Sequence, residues 1–324
     1  MDITPYLPTP VEALSIDFWV KRDDLTHPVY GGNKVRKLAH LLPRARELGK
    51  NRVLTAGAAG SHHVLCTAVH AKEAGLAAAA VMTPQPYTEH AADNLRAGLA
   101  KGLTVYTAES YPGAMLRTVR ERRADDLLVP VGGSDVVGSR GYVDAALELE
   151  QQVRAGLCPT PKVLAVTLGS GGTVAGLLVG LARAGLRVQL DAVLVAEHEF
   201  AIVTNVEHLV RALARTSAEA ELALSLMHVV RSELGEGYAQ PTQRGREAYA
   251  QAAAHGAFKL DLTYTAKTYA HARDVAAQRI GPVLYWHTLS SSNMAPLLEG
   301  APSREDVVRS YPELWTDLPG DLAI

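Results

Sequence analysis

Two short stretches of the sequence place chemically useful residues where the main chain can approach a ligand closely. The first is 31-GGNKVRKL-38, in which Gly31 and Gly32 lead directly into Asn33 and Lys34. Glycine has no Cβ, so a Gly-Gly turn lets the backbone pass close to another group. A lysine amine placed there is a candidate for imine formation with a carbonyl compound and for proton transfer.

The second stretch is a glycine loop that follows the apolar run 163-VLAVTL-168 and precedes a helical run. Backbone N–H groups and the helix dipole make a helix N-terminus a binding site for anions. A tight strand–helix turn without a ligand is the alternative, although five small residues in a row exceed what such a turn needs. The pattern predicts a phosphate site formed by Gly169, Ser170, Gly171, Gly172 and Thr173.

The residues around this loop indicate which class of phosphate-containing ligand it binds. A P-loop carries Lys-Ser/Thr after its last glycine, and this loop does not. A dinucleotide loop reads G-x-G-x-x-G: Gly169 and Gly171 fit, position 174 is Val, and Glu197 could serve as the acid of the next strand. A dinucleotide-binding oxidoreductase is therefore one alternative. A reactive lysine combined with a phosphate loop favours pyridoxal 5′-phosphate, an electron sink for carbanions at an amino-acid Cα.

The elements that must position these residues alternate along the chain. Continuous apolar runs predict strands covered on both faces, and helical patterns separate them, which predicts a mostly parallel α/β fold. The Gly/Pro-rich connector 156–162 is a candidate domain crossing. The predicted strands are 52–57, 77–82, 103–107, 127–131, 163–168, 191–197 and 283–287. The predicted helices are 61–75, 140–156 and 241–256. The segment 204–230 is also predicted to be helical, without strand character.

Composition excludes several functional classes. The chain has 324 residues, of which 48% are hydrophobic and 20% charged, as in ordinary globular proteins. The net charge is −2 and the basic residues are dispersed along the chain, so the sequence shows no concentrated basic surface for binding nucleic acid. No apolar stretch is long enough to span a membrane, the start lacks a secretory pattern, and two cysteines fit a reducing compartment. We expect a cytoplasmic protein that binds a small molecule.

Some residues near the motifs have simpler interpretations. The basic residues Arg36 and Lys37 are typical of a solvated helix face. The residues His62, His63 and Cys66 suggest part of a zinc site, but no second ligand pair with the usual spacing is present. No metal is therefore expected.

Six stretches, in order along the chain, resemble the pyridoxal-phosphate family of D-cysteine desulfhydrase and 1-aminocyclopropane-1-carboxylate deaminase. The resemblance covers most of residues 8–290 and implies the two-domain tryptophan-synthase-β-like fold (fold type II), with parallel sheets and the cofactor in the interdomain cleft. It implies a larger cofactor-binding domain of 1–47 plus 153–324, a smaller substrate-side domain of 48–152, and a homodimer. The stretches are 21-KRDDLTHPVYGGNKVRKL-38, 57-GAAGSHH-63, 130-PVGGSDVVGSRGYVDAALE-148, 169-GSGGTVAG-176, 261-DLTYTAK-267 and 283-VLYWHT-288.

The resemblance implies a role for each matching position. Lys34 matches the lysine that holds the cofactor, with Asn33 beside it. Ser61 matches a serine that contacts the substrate carboxylate and assists proton transfer. Residues 169–173 match the phosphate loop, and Thr288 matches a hydroxyl residue that faces the pyridine nitrogen and leaves it largely unprotonated.

Two tyrosines and the residue after one of them bear on the reaction. Tyr238 and Tyr264 match active-site tyrosines of the family, whereas without the family Tyr264 would be interpreted as a core residue with a hydrogen-bond partner. The deaminase branch of the family carries Glu after the second tyrosine. Thr265 stands there in this chain, as in the desulfhydrase branch, which favours β-elimination.

The sequence departs from the family pattern on two sides of the expected pocket. Gly60-Ser61-His62-His63 replaces Gln-Ser-Asn-His, so His62 could bind the cofactor ring oxygen in place of Asn or could reshape the pocket. Leu289 and Ser290 replace two glycines. The expected reaction is α,β-elimination from a small amino acid, giving a 2-oxo acid and ammonia, with thiolate leaving if the substrate is D-cysteine. Ring opening, β-replacement and a non-catalytic cofactor-binding protein are the alternatives.

Overall fold

The computed structural model describes residues 3–256, 258–320 and 322, and strands and helices alternate along this part of the chain. The strands are β1 (Val11–Ala13), β2 (Phe18–Arg22), β3 (Arg52–Ala58), β4 (Ala77–Thr83), β5 (Gln85–Pro86), β6 (Thr104–Thr107), β7 (Asp126–Leu128), β8 (Val163–Leu168), β9 (Gln189–Leu194), β10 (Met227–Val230), β11 (Val283–His287) and β12 (Trp315–Thr316). The helices are α1 (Asn33–Glu47), α2 (His62–Glu73), α3 (Glu89–Ala100), α4 (Tyr111–Glu121), α5 (Val136–Arg154), α6 (Gly172–Ala184), α7 (Glu199–Leu213), α8 (Ser217–Ser225), α9 (Gln243–His255), α10 (Thr265–Ala277) and α11 (Arg304–Ser310).

The larger of two compact units comprises Pro5–Lys37 and Ser134–Ser292. Its six-stranded sheet has the order β1-β2-β11-β8-β9-β10, and every neighbouring pair is parallel except β1 with β2. Alternate residues of β8 belong to different core clusters: Leu164 packs with Trp286, whereas Val163 packs with Tyr285. The sheet is therefore covered on both faces, which confirms the prediction from the continuous apolar runs.

The smaller unit is built mainly from Leu38–Gly133 together with the chain from Asn293 onward. Its four-stranded sheet has the order β6-β4-β3-β7 and is entirely parallel, and β5 pairs in parallel with β12. Among the described residues, no helix has the length and apolarity needed to cross a membrane.

The boundaries of the two units differ from the expected domains of 1–47 plus 153–324 and 48–152. The helix α5 lies in the larger unit because it packs tightly on α6: a Cβ on Gly176 would lie 2.3 Å from the Ser139 carbonyl oxygen, and one on Gly180 would lie 2.5 Å from Ala146 Cβ. The C-terminal segment lies in the smaller unit because β12 pairs with β5 and because Arg304 of α11 forms ion pairs with Glu89 and Asp93 of α3.

The segment 204–230 contains a strand that the sequence analysis missed. Helices α7 and α8 occupy most of it, but Met227–Val230 forms β10, which pairs in parallel with β9 at the edge of the sheet. Only its last residue is buried. An edge strand of four residues that is mostly unburied carries too short an apolar run to be separated from the preceding helix.

A buried polar network anchors the start of α1 in the larger unit. Arg36 is 2% exposed and donates hydrogen bonds to Asp23 and Glu148. Asp23 also accepts from Tyr142 Oη and Trp286 Nε1, each at 2.7 Å. The prediction that Arg36 lies on a solvated face is therefore wrong, because its charge is matched inside the protein by carboxylates that are distant in sequence.

Candidate active site

The Gly31–Gly32 turn brings the start of α1 against the end of β11. Gly32 has a φ of +95°, and a Cβ there would lie 2.9 Å from the Thr288 carbonyl oxygen. The same oxygen accepts a hydrogen bond of 3.0 Å from Asn33 N. The turn needs glycine because the backbone of Thr288 approaches it directly.

The amine of Lys34 is held by its neighbour at the beginning of α1. Lys34 Nζ donates to Asn33 Oδ1 at 2.8 Å, and Asn33 Nδ2 donates to Thr173 Oγ1 at 3.2 Å. Lys34 and Asn33 are both half-buried. The structure thus brings together Lys34, Asn33, Thr173 and Thr288, which the sequence spreads over more than 250 positions.

The glycine loop runs from the end of β8 to the beginning of α6, as predicted. Gly171 is the N-cap residue with a φ of +91°, and no side chain of the described residues caps the helix. A Cβ on Gly171 would lie 2.8 Å from Val206 Cγ2, and one on Gly172 would lie 2.6 Å from Ser134 Oγ. The loop therefore requires glycine, and the first N–H groups of α6 have no partner within their own helix.

A buried lysine that the sequence analysis misinterpreted also reaches this loop. Lys37 is 1% exposed, so the prediction of a solvated face is wrong for this residue too. Its Nζ donates to Ser134 Oγ at 3.1 Å, and Ser134 Oγ also accepts from Gly172 N at 3.2 Å and lies 2.8 Å from Ser170 Oγ. Burial, and secondly the charge of Lys34, lower the pKa of Lys37 well below its usual value.

Lys37 and Ser134 are therefore residues of the candidate site that sequence reasoning missed. The spacing from Lys34 to Lys37 is one helical turn, which places both side chains on one face and was a usable signal. Ser134 lies in the 130–148 stretch, but its position in the sequence does not predict its contact with the glycine loop.

The two candidate tyrosines meet in the larger unit. The hydroxyls of Tyr238 and Tyr264 are hydrogen-bonded to each other, and their rings are edge-on with centroids 5.8 Å apart. Both side chains are half-buried. Desolvation raises the pKa of each phenol, most strongly that of Tyr264, so both keep their protons at neutral pH.

The position of Tyr264 is set by the N-terminus of α10. Asp261 Oδ1 accepts from Tyr264 N at 2.7 Å and from Thr263 N at 2.9 Å. Thr265 is 1% exposed, and its hydroxyl donates to Asp261 Oδ2 at 2.6 Å. The residue that separates the two family branches is thus engaged in holding the tyrosine-bearing turn.

Ser61 and His62 lie in the smaller unit, where β3 leads into α2. Ser61 is the N-cap of α2, and its Oγ accepts from Val64 N. His62 Nε2 lies 3.1 Å from His90 Nε2, and His62 Nδ1 lies 3.4 Å from Asn94 Nδ2. The imidazole that replaces the family Asn is therefore held by two side chains of α3.

The residues that replace the two family glycines have defined structural contacts. Ser290 Oγ accepts from Gly31 N at 2.9 Å and from Ser292 N at 3.2 Å, so it closes the turn before Lys34. Leu289 is buried. The substitution therefore supports the turn next to the candidate lysine.

Comparison with known proteins decides the family. The family described as "Pyridoxal-phosphate dependent enzyme" matches residues 2–288. The chain belongs to this family. It is similar to D-cysteine desulfhydrase of Salmonella newport strain SL254 and of Salmonella schwarzengrund strain CVM19633, with 33% identity to each over 87% of this chain and 89% of the relative.

Solved structures agree with the family. The chain is similar to a structure described as an ACC deaminase homologue, with a TM-score of 0.75 and 25% identity over 92% of this chain and 95% of that one. An L-serine ammonia-lyase from Rhizomucor miehei shares the fold, with a TM-score of 0.63 and 17% identity over 90% of this chain and 96% of that one. The chain is a two-unit α/β enzyme of fold type II, a pyridoxal-phosphate-dependent lyase or deaminase.

The described residues fit this cofactor. A phosphate needs backbone donors and positive charge, and the glycine loop offers the uncapped N-terminus of α6 next to the buried Lys37. An aldehyde needs an amine, and Lys34 lies one helical turn before Lys37. The dinucleotide alternative is wrong for a member of this family, and Glu197 has another structural task, since it accepts a hydrogen bond from Tyr238 N.

Proposed function

We propose that this enzyme catalyses α,β-elimination from a small D-amino acid with a thiol on Cβ, D-cysteine being the reference substrate. The overall reaction converts D-cysteine and water to pyruvate, hydrogen sulfide and ammonia. The observation that carries the proposal is the Lys34 amine, held by Asn33 beside the glycine loop. The similarity to D-cysteine desulfhydrases over most of the chain supports the choice of substrate.

We assign the cofactor to the residues gathered at the start of α1 and α6. Gly169, Ser170, Gly171, Gly172 and Thr173 would hold the phosphate with backbone and hydroxyl donors, and Lys37 would add positive charge through Ser134. Asn33 orients Lys34, and Thr288 would face the pyridine nitrogen. Pyridoxal phosphate, when bound, supplies the electron sink for a carbanion at the substrate Cα.

Lys34 acts as the base in this proposal. Once the substrate amine has taken its place, the lysine amine is free to remove the proton from Cα. The contact with Asn33 Oδ1 keeps the amine at a fixed point while it changes its protonation state. General base catalysis of this kind contributes about 10²–10⁴-fold to the rate.

The tyrosine pair supplies the proton for the leaving group. Because desolvation raises the pKa of both phenols, they are proton donors at neutral pH and not bases. Their mutual hydrogen bond lets Tyr264 donate to Tyr238, or the reverse, while the outer hydroxyl protonates the departing thiolate. Addition of water to the released enamine product then gives the 2-oxo acid and ammonia.

The smaller unit contributes the residues that recognise the substrate. Ser61 caps the N-terminus of α2, and a helix N-terminus favours a carboxylate. His62 would contact either the cofactor ring oxygen or the substrate, with its orientation set by His90 and Asn94. A homodimer is part of this proposal, and sedimentation equilibrium should return twice the mass of the chain.

A substrate panel tests the proposed function. The purified holoenzyme is given D-cysteine, L-cysteine or 1-aminocyclopropane-1-carboxylate, and sulfide and 2-oxo acid are measured separately. We expect pyruvate and sulfide in equal amounts from D-cysteine, and a kcat/KM for it far above those for the others. Formation of 2-oxobutyrate from the cyclopropane substrate, with no sulfide from D-cysteine, would replace elimination by ring opening.

A further inference from the structure

A fully buried lysine lies next to the tyrosine pair, where its charge is costly. Lys267 is 0% exposed and occupies the first turn of α10, three residues after Tyr264. The N-terminal end of a helix carries partial positive charge, so a cation there is unfavourable. Nearby acceptors or negative charges are needed to offset the free-energy cost of burying this ammonium.

The ammonium donates hydrogen bonds to main-chain oxygens of the segment that carries Tyr238. Lys267 Nζ donates to the Leu234 carbonyl at 2.8 Å and reaches the Gly237 carbonyl at 3.4 Å. Burial lowers the pKa of Lys267, while the carboxylates of Glu197 and Glu233 act in the opposite direction. Carbonyl oxygens surrounded by carboxylates are the ligands that a hard cation prefers.

The fully buried Glu233 adds a second sign that this place is built for positive charge. Its Oε1 forms an ion pair with Arg244 at 2.5 Å. Its Oε2 is buried and has no hydrogen-bond partner among the described residues. Burying a carboxylate oxygen without a hydrogen-bond partner costs free energy unless a cation is close. Lys267 is such a cation, because its ammonium interacts electrostatically with the Glu233 carboxylate.

The segment around Tyr238 depends on these contacts for its shape. Gly237 has a φ of +137°, and a Cβ there would lie 2.0 Å from Glu197 Oε1. The same carboxylate oxygen accepts from Tyr238 N at 2.8 Å. The ammonium of Lys267 and the carboxylate of Glu197 thus hold the two ends of one peptide group, the C=O of Gly237 and the N–H of Tyr238.

We propose that Lys267 is a built-in cation that orders residues 234–238, so that Tyr238 meets Tyr264. Lys267 is a positioning residue: it acts on the main chain under Tyr238 and not on the substrate. The catalytic benefit rests on the proposed function, because it assumes that the tyrosine pair protonates the leaving group. The ordering of the segment does not depend on the substrate.

Replacement of the lysine and addition of a free cation test this inference. In the holoenzyme, Lys267→Ala removes the ammonium and leaves space for an ion. Amide hydrogen exchange of residues 234–240 should become faster by about tenfold, as expected for loss of one hydrogen bond from a charged group. Potassium chloride or ammonium chloride should slow the exchange again, whereas tetramethylammonium chloride at equal ionic strength should not, because it is too large.

A matched control and a second variant make the result decisive. Lys259→Ala removes an exposed lysine and should leave exchange in 234–240 unchanged. Lys267→Met keeps the buried stem without the charge, so it should loosen the segment and respond less to potassium than Lys267→Ala. If Lys267→Ala does not fold, unchanged exchange in Lys267→Met overturns the inference. Unchanged exchange in Lys267→Ala, or equal effects of potassium and tetramethylammonium, would also overturn it.

Kinetics separate this inference from the proposed function. With whichever amino acid the wild-type enzyme turns over, Lys267→Ala should lose about tenfold in kcat and regain part of it in potassium. If D-cysteine is not turned over, the proposed function fails while the exchange experiment still decides the role of Lys267.

Discussion

At the scale of single residues, the N-terminal part of α1 carries two lysines in different environments. Lys34 is half-buried and contacts Asn33, whereas Lys37 is fully buried and contacts Ser134 at the glycine loop. Burial and the neighbouring charge lower the pKa of Lys37. A bound phosphate would stabilise the protonated form of Lys37, so this lysine and the cofactor should stabilise each other.

Lys37→Met tests this coupling. Loss of a charged donor next to the phosphate loop should raise the dissociation constant of pyridoxal phosphate by about ten- to a hundredfold, since a hydrogen bond from a charged group contributes about 1.5–3 kcal/mol. Titration of the apoenzyme with the cofactor, followed by absorption, measures the change. Lys72→Met, at an exposed position of α2, is the control. Equal affinity in both variants would remove Lys37 from the cofactor site.

The sequence indicated Lys34 as the candidate lysine but did not indicate that Lys37 is buried, for a physical reason. Gly31-Gly32 before Lys34 is a local signal, because a turn with positive φ leaves a mark in the residue types. Whether Arg36 and Lys37 face water depends on Asp23, Glu148 and Ser134, and the last two are about a hundred positions away. A charged side chain is buried only where tertiary contacts supply partners for its charge, and a single sequence does not show those contacts.

At the scale of elements, β11 delivers Thr288 to the start of α1 and carries a buried histidine one residue earlier. His287 is fully buried between Tyr285, whose hydroxyl lies 2.9 Å from Nδ1, and Phe258, whose ring centroid is 4.7 Å away. Its Nε2 has no hydrogen-bond partner among the described residues. Burial lowers its pKa from 6.5 to about 4, so the folded protein keeps the imidazole neutral.

This histidine should make stability depend on pH. Because the pKa is lower in the folded state, the unfolded chain binds the proton first, and stability falls as the pH decreases from 6.5 to about 4. The pKa difference corresponds to about 3 kcal/mol over that range. Urea unfolding of wild type and His287→Phe at pH 7 and pH 5 should show a smaller loss in the variant. His208→Asn, at an exposed position of α7, should behave as wild type, and equal losses in all three proteins would contradict this account.

The buried network around Asp23 fixes α1 to the sheet and to α5. Asp23→Asn removes the charge that Arg36 neutralises while keeping the shape of the side chain. Breaking a buried ion pair from one side costs about 3–5 kcal/mol, so the free energy of unfolding should decrease by that amount. Urea denaturation of the apoenzyme measures it, with Glu221→Gln on the exposed side of α8 as a control expected to change it by less than about 0.5 kcal/mol. A decrease below about 1 kcal/mol for Asp23→Asn would mean that the network is not a stability determinant.

Elements were predicted well where their residues are buried on both faces. The runs at 52–57, 77–82 and 163–168 are strands β3, β4 and β8, because a covered parallel strand needs a continuous apolar sequence. The edge strand β10 was missed because most of it is unburied. The domain boundaries were harder to predict, since the C-terminal segment joins the smaller unit through contacts with residues about 200 positions away: β12 pairs with β5, and Arg304 forms ion pairs with Glu89 and Asp93.

At the scale of the whole molecule, two compact units divide the residues of the proposed chemistry. The larger unit holds Lys34, the glycine loop, the tyrosine pair and Thr288, and the smaller unit holds Ser61 and His62. The family match over residues 2–288 includes parts of both units. The resemblance seen in six short stretches is thus confirmed as membership of the family.

The most direct test of the account compares wild-type enzyme with Lys34→Ala. Both proteins are incubated with pyridoxal phosphate and D-cysteine, sulfide and pyruvate are measured, and parallel samples are reduced with borohydride and mapped by mass spectrometry. We predict equal amounts of both products from wild type, a cofactor adduct on the peptide that contains Lys34, and a fall of about 10³-fold or more in the variant. Undiminished turnover in Lys34→Ala, or an adduct on a different lysine, would contradict the account.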